Sequence, residues 1–400
     1  MGTRWQEHYL GAGTELLPVR PRCRRLDGEG EGCAGFGPGR FPKADTTAKP
    51  DSATKARNDS LAKAPAYEPT RRDIAIYAPR DVPQGTVVLK GARIISMKGD
   101  EVIDQGDVVV TDNRIVCVGA CTAPSGARTI DAAGKTIIPG FVDIHAHPWP
   151  TFGIHEPQVW KYLANLAYGV TTVRDPQTNT TDVLTYADQV EAGQLIGPRI
   201  YHTGPGVFGT YFEEPFTSLD DVRNALKRYS DFYHTNTIKQ YMVGNRKQRQ
   251  WVIMAAKEQS LMPTTEGGLD FKMNLTIAMD GYPGHEHSLP ITPLSKDVVE
   301  VFAKSGITYT PTLLVSYGGP WSENYFYERF DIMQNPKVRR FVPYDEIAIR
   351  AERRPWFREN QYIFPKIAAG IRRSSRREAA WAWAATARWT AWAITGNSGR

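Results

Sequence analysis

Two histidines separated by one residue, His145 and His147, end the apolar run TIIPGFVDIHAH, with Asp143 just before them. Alternate side chains of a strand point the same way. Both imidazoles therefore face one side, and one rigid element offers two nitrogen ligands to a divalent ion. Histidine pairs also occur in cores and on surfaces. This one ends an apolar strand, and in a parallel α/β barrel the C-terminal strand ends form the reaction face. In GHEHSL, at 284–289, the same alternation puts His285 and His287 on one face. Either offers a nitrogen ligand to a divalent ion. SLMPTTE, at 260–266, ends in Glu266, a carboxylate that can ligate a divalent ion, bind a substrate amine or pair with an arginine. Asp175 in VRDP and His202 in PRIYHTG end two further strand-like segments, from which they reach substrate or hydrogen-bond a ligand. Tyr241 and Tyr309 suit a wall or core, and His8, His155 and His234 lack a strand-end context.

These residues need a scaffold that brings strand ends together. Short apolar segments at 169–175, 198–204, 237–241, 260–266, 284–289 and 307–315 alternate with stretches of helical periodicity such as TTDVLTYADQVEAG and SKDVVEVFAKSG. Strand then helix, repeated, predicts a parallel sheet with crossover helices. With the segment before His145, seven strands precede residue 320, one short of a closed (β/α)8 barrel. Ahead of them, TVVLKGARIISM and DVVVTDNRIVCVG, joined by a turn-prone stretch, predict a small β-sheet domain. The expected organisation is a linker over 1–75, part of a β-sandwich over 76–138, an incomplete barrel over 139–370, and an aberrant tail over 371–400.

The chain has 400 residues, enough for a barrel and an accessory domain, and a formal net charge of +6. The positive excess lies at the ends, while residues 81–370 carry a net −3, which argues against a nucleic-acid groove. No apolar stretch is long enough to span a membrane. The first residues lack the pattern of a secretory signal, so a cytoplasmic location is expected from this chain. Cys23, Cys33, Cys117 and Cys121 lack the paired spacing of a structural zinc site, and the last two read as small buried thiols.

DAAGKTIIPGFVDIHAH resembles the segment that opens the barrel in the amidohydrolase superfamily of metal-dependent hydrolases. KYLANLAYGVTTVRDP, IKQYM followed by RKQRQW, the EGG at 266–268 and SGITYTPTLLVSYGG resemble the branch fused behind TolB-like β-propellers. The likeness covers residues from about 80 to 370. It implies a divalent metal, zinc by expectation and one or two ions, held by His145, His147, Lys239, Glu266 and His287, with Lys239 carboxylated to a carbamate. Lys239, Asp175 and His202 are the expected catalytic residues. At the fifth strand the family usually has a histidine, where this chain has Thr264, Thr265 and Glu266. The implied activity is hydrolysis of carbon–nitrogen bonds other than linear peptide bonds, in a cyclic amide or dipeptide-like small molecule. A ring-amidine deaminase with a mononuclear site is the second reading, and a non-catalytic scaffold barrel the third. An upstream propeller and export are implied for full-length relatives, and self-association stays open.

The family also supplies a proton-transferring aspartate on an eighth strand, where this chain has IRRSSRREAAWAWAATARWTAWAITGNSGR. Four Trp and eight Ala without a strand or turn pattern read as GC-rich coding sequence taken out of frame. Shifting assumed codons for AWAWAATA by two bases restores a strand-like Val-Gly-Val-Gly-Ser-His-Gly. A barrel lacking that strand has open edges, so poor folding and impaired activity are expected.

Overall fold

The structure, a computed structural model, describes residues 77–178, 180–207, 216–316, 319–352 and 355–375. All elements named below belong to one compact unit, which takes in the chain from Ala78 onward. The expected linker over 1–75, as a propeller remnant, and the out-of-frame reading of 376–400 lie outside the described residues.

The sequence folds first into a five-stranded sheet of β1 (Thr86–Ile95), β2 (Val102–Thr111), β3 (Arg114–Gly119), β4 (Arg128–Asp131) and β5 (Thr136–Ile137), in the order β3-β2-β1-β4, with β5 also beside β1. Alternation selects its buried face, on which Ala92 and Ile94 of β1 meet Val108 of β2 and Ala132. Thr111 pairs with Arg114, so Asp112 and Asn113 form a two-residue hairpin turn, and Asp112 takes the positive φ of 53° that such turns require. Cys117 and Cys121 are joined by a disulfide, so the expectation of two free buried thiols is corrected. Four residues apart, with Cα atoms separated by 6.0 Å, the two lie within bonding range.

Seven parallel strands follow: β6 (Phe141–Asp143), β7 (Val170–Asp175), β8 (Arg199–His202), β9 (Thr237–Gln240), β10 (Met262–Glu266), β11 (Gly284–Glu286) and β12 (Thr308–Thr310). They pair in sequence order as β6-β7-β8 and β9-β10-β11-β12, and a parallel bridge between Val207 and Gln240 links the segment after β8 to β9. Between them run α1 (Trp160–Ala167), α2 (Asp182–Glu191), α3 (Leu219–Lys227), α4 (Arg246–Glu258), α5 (Phe271–Met279) and α6 (Lys296–Ser305). After β12 come α7 (Ser322–Tyr327), α8 (Pro336–Phe341), α9 (Tyr344–Glu352) and α10 (Phe364–Ser375). This is the strand-and-helix order that the sequence pattern predicts.

Local chemistry sets the helix ends. Ser218 and Asp221 cap α3 reciprocally, and Asn245 and Gln248 cap α4 in the same way. Gly306 ends α6 at a φ of 73°, where a side chain would be strained. Helical spacing then presents Val222 and Leu226 of α3, and Val252, Ala255 and Ala256 of α4, to Ile238 of β9 in one apolar cluster. A second cluster joins Ile277 of α5, Val298 and Phe302 of α6 and Tyr309 of β12 to Ile367 and Ile371 of α10. Residues 371–375 therefore continue an ordinary helix, and Ile371 is buried in the core, where the sequence pattern had placed the start of the aberrant tail.

Leu226 is fully buried. Leu226→Ala is expected to cost about 2–5 kcal/mol of stability, the usual result of a core cavity. The check is a urea titration, where the midpoint should fall with an unchanged slope. A midpoint equal to that of the unsubstituted chain would remove this cluster from the core.

Candidate metal and catalytic site

β6 ends at Asp143, so His145 lies in the turn just after the strand and His147 two residues beyond, neither on the strand. The Asp143 carboxylate accepts the His145 backbone N–H at 3.0 Å and fastens that turn. The pair still converges on one place: the His145 ring centroid is 5.0 Å from that of His147 and 5.0 Å from that of His287. Asp143 is itself buried, and its carboxyl is pushed up to about 7 by burial, against the lowering effect of the His145 N–H.

Pleat alternation on β9 turns Thr237 and Lys239 to the barrel interior, while Ile238 faces the helices. On β10 the same rule pairs Thr264 with Glu266, and strand register sets Thr264 beside Lys239 and Glu266 beside Glu286. Lys239 is 1% exposed and its ammonium ion-pairs with Glu266 Oε2. The other Glu266 oxygen lies 2.5 Å from His287 Nε2. Burial alone would raise the Glu266 carboxyl, but Lys239 and His287 hold it below the usual carboxylate range.

β11 departs from the expected alternation. His285 and His287 do not share a face, because the strand ends at Glu286 and His287 adopts a left-handed φ of 69°. His285 faces outward against Phe302 and Tyr309 and lies 3.3 Å from Asn274 Oδ1. Glu286 is the interior residue, and its Oε2 accepts a 2.6 Å hydrogen bond from His145 Nδ1. His147 Nδ1 makes the equivalent bond, 3.2 Å, to Asp175 Oδ1 at the end of β7. Since an ionised carboxylate only accepts, both histidines are assigned the proton on Nδ1, which leaves each Nε2 a lone pair. His145 Nε2 is buried without a hydrogen-bond partner.

The structure thus gathers His145, His147, Lys239, Glu266 and His287 at neighbouring strand ends. Asp175 touches His147 and acts on it. His202 pairs in register with Asp175, and its Nδ1 is buried without a partner. Among the described residues, no three His, Cys, Asp and Glu side chains stand as a ready ligand group. The donor set still fits a divalent ion: imidazole and carboxylate are suitable ligand types, and the orphaned His145 Nε2 is the kind of buried atom that an ion satisfies. Sequence reasoning passed over Glu286 and Arg174. An arginine inside a buried strand was a usable signal, because a buried cation needs a carboxylate nearby.

No family model matches the chain. Over 47 residues it is 53% identical to an imidazolonepropionase of Mycolicibacterium smegmatis, 12% of each chain. Over 62 residues it is 39% identical to an L-hydantoinase of Paenarthrobacter aurescens, 15% of this chain and 13% of that one. An adenine deaminase of Listeria monocytogenes is 39% identical over 61 residues, 15% of this chain and 10% of the relative. The chain spans only 13%, 14% and 25% of the hydantoinase and of two dihydroorotases. Among solved structures, a Xaa-Pro dipeptidase with bound methionine has a TM-score of 0.55 at 17% identity, over 77% of this chain and 82% of that one. A molinate hydrolase has a TM-score of 0.55 at 13% identity, over 76% and 73%. At such identities the structural likeness carries the fold.

Burial drives the His145 imidazole down to about 3 and the His285 imidazole down to about 4, and it lowers His202 against the opposing pull of Asp175. All three are neutral when folded and take protons near pH 6.5 when unfolded, so protons favour the unfolded chain. Asp143 and Asp188, pushed up by burial to about 7 and about 6, work the other way over the same range, so the imidazole contribution is read against a His285→Asn variant. The stability of the metal-free chain relative to that variant is expected to fall as the pH drops from about 6.5 toward about 4. Urea midpoints of the two chains across that range check this, and a difference that does not shrink on acidification would contradict the burial of a neutral His285 imidazole.

Proposed function

Because this chain belongs to the amidohydrolase superfamily, we propose that it is a metal-dependent hydrolase of carbon–nitrogen bonds in cyclic amides or dipeptide-like molecules. One observation carries the reading: two histidines after β6, a lysine on β9, a glutamate on β10 and a histidine after β11 meet at the C-terminal strand ends. The names of two relatives, a hydantoinase and an imidazolonepropionase, support the substrate class.

His145, His147, Glu266 and His287 would hold the ion, with Lys239 joining once carboxylated, since an ammonium repels a cation and a carbamate offers it oxygens. A bound divalent ion, zinc by our reading, supplies an activated water and a polarised carbonyl. Asp175 keeps His147 in the tautomer with its Nε2 lone pair available. His202, neutral and at the end of β8, is assigned contact with the substrate, where it accepts or returns a proton. Lys239 ion-paired with Glu266 and not carboxylated is the state that the second reading, the deaminase with one ion, requires.

Among the described residues no helix is long and apolar enough to cross a membrane. The Cys117–Cys121 disulfide supports an oxidising compartment, against the cytoplasmic expectation. We also propose that an upstream β-propeller accompanies this unit in the full-length protein.

The test is zinc content together with chelator-sensitive turnover of a hydantoin and an Xaa-Pro dipeptide. Ring opening or dipeptide cleavage is expected, lost with chelator and reduced to background in His145→Ala and His147→Ala. Ammonia release from a ring amidine with one ion bound would favour the deaminase. A zinc-loaded chain without turnover on any of these would leave the scaffold reading.

A further inference from the structure

Beneath the metal-ligand candidates, Arg174 of β7 reaches across the barrel interior with a side chain 12% exposed. Its Nη2 donates to Thr237 Oγ1 at 3.0 Å and to Thr264 Oγ1 at 2.8 Å, hydroxyls on β9 and β10. Its Nη1 donates to the Ile144 carbonyl at 3.3 Å, the residue just before His145, and to Glu286 Oε1 at 3.2 Å. The other Glu286 oxygen receives His145 Nδ1 at 2.6 Å. Room beneath Glu286 depends on Gly284, where an added Cβ would lie 2.7 Å from Thr264 Cγ2. Two strands and the turn after β6 thereby hold one guanidinium, the guanidinium fixes one carboxylate, and the carboxylate fixes one imidazole.

We infer that Arg174 and Glu286 are a positioning pair for His145, holding its proton on Nδ1 and its Nε2 lone pair toward His147 and His287. The inference rests on the reading of His145 as a ligand, and it adds two residues that the metal-site reading does not contain. Arginine has donors only, so both Glu286 oxygens must accept, one from Arg174 and one from His145. Glu286→Gln breaks that symmetry. The amide has one carbonyl oxygen and one NH2 group, and the oxygen turns to Arg174 because nothing else there can receive its N–H. The NH2 group then faces His145 Nδ1, which must give up its proton to accept a hydrogen bond. That proton moves to Nε2 and covers the lone pair that a metal ion needs. Adding Arg174→Met releases the amide, which can rotate and present its oxygen to His145 again.

The experiment has a metal-free and a metal-dependent arm. In the metal-free chain labelled with 15N-histidine, His145 is assigned against a His145→Asn variant and its tautomer is read from the ring nitrogen shifts. The expected result is an Nδ1–H tautomer in the unsubstituted chain, an Nε2–H tautomer in Glu286→Gln, and return to Nδ1–H in the Glu286→Gln, Arg174→Met double variant. Zinc affinity, measured by competition with a chelator, should fall about 10–100-fold in the single variant, the usual effect of losing a residue that orients a ligand, and recover in the double variant. A purely structural role for the pair predicts the reverse, with the double variant worse than the single. An Nε2–H tautomer in the unsubstituted chain, unchanged zinc affinity in Glu286→Gln, or no recovery in the double variant overturns the inference. If zinc fails to bind even the unsubstituted chain, the hydrolase reading falls, while the tautomer arm still decides whether the pair positions His145.

Discussion

A charge moved from water into a protein interior costs several kcal/mol unless an opposite charge and hydrogen bonds meet it there. Four such charges lie together beneath the candidate site, on Arg174, Lys239, Glu266 and Glu286. They are paired two by two, Arg174 with Glu286 and Lys239 with Glu266, and each carboxylate also contacts a histidine, His145 or His287. The imidazoles are therefore held by groups that must stay where they are for the interior to remain charge-balanced. Replacing one member with an apolar residue would strand its partner, which is why the site and the barrel core depend on each other.

The order of strands and helices was legible because period-two and helical apolar patterns alternate along the chain, and the structure keeps that order from β6 to β12. The histidine pair was legible for the same reason, since an apolar run ends on it. Three features were not. The end of β6 at Asp143 depends on where its pairing with β7 stops, which no single-strand pattern contains. The left-handed backbone at His287 breaks the alternation that the sequence GHEHSL continues, and the interior position falls to Glu286 in place of His285. The disulfide between Cys117 and Cys121 joins residues that an apolar run presents as ordinary buried thiols. In each case tertiary geometry overrode a local rule.

The relatives carry different activities, a hydantoinase, an adenine deaminase and an imidazolonepropionase, and the solved structures share the fold. Fold alone does not select among them. What this chain adds is a fifth-strand glutamate in place of histidine and a lysine ion-paired to it. Carboxylating Lys239 would trade that ion pair for shared ligation of metal, so the state of one side chain separates a one-ion site from a two-ion site.

X-ray absorption at the zinc edge of the zinc-loaded chain tests the central claim most directly. Nitrogen and oxygen neighbours at about 2.0–2.2 Å, with the outer-shell scattering of several imidazoles and no sulfur, are the predicted result. A sulfur shell, or an ion surrounded by water without imidazole scattering, would contradict a site built from His145, His147 and His287.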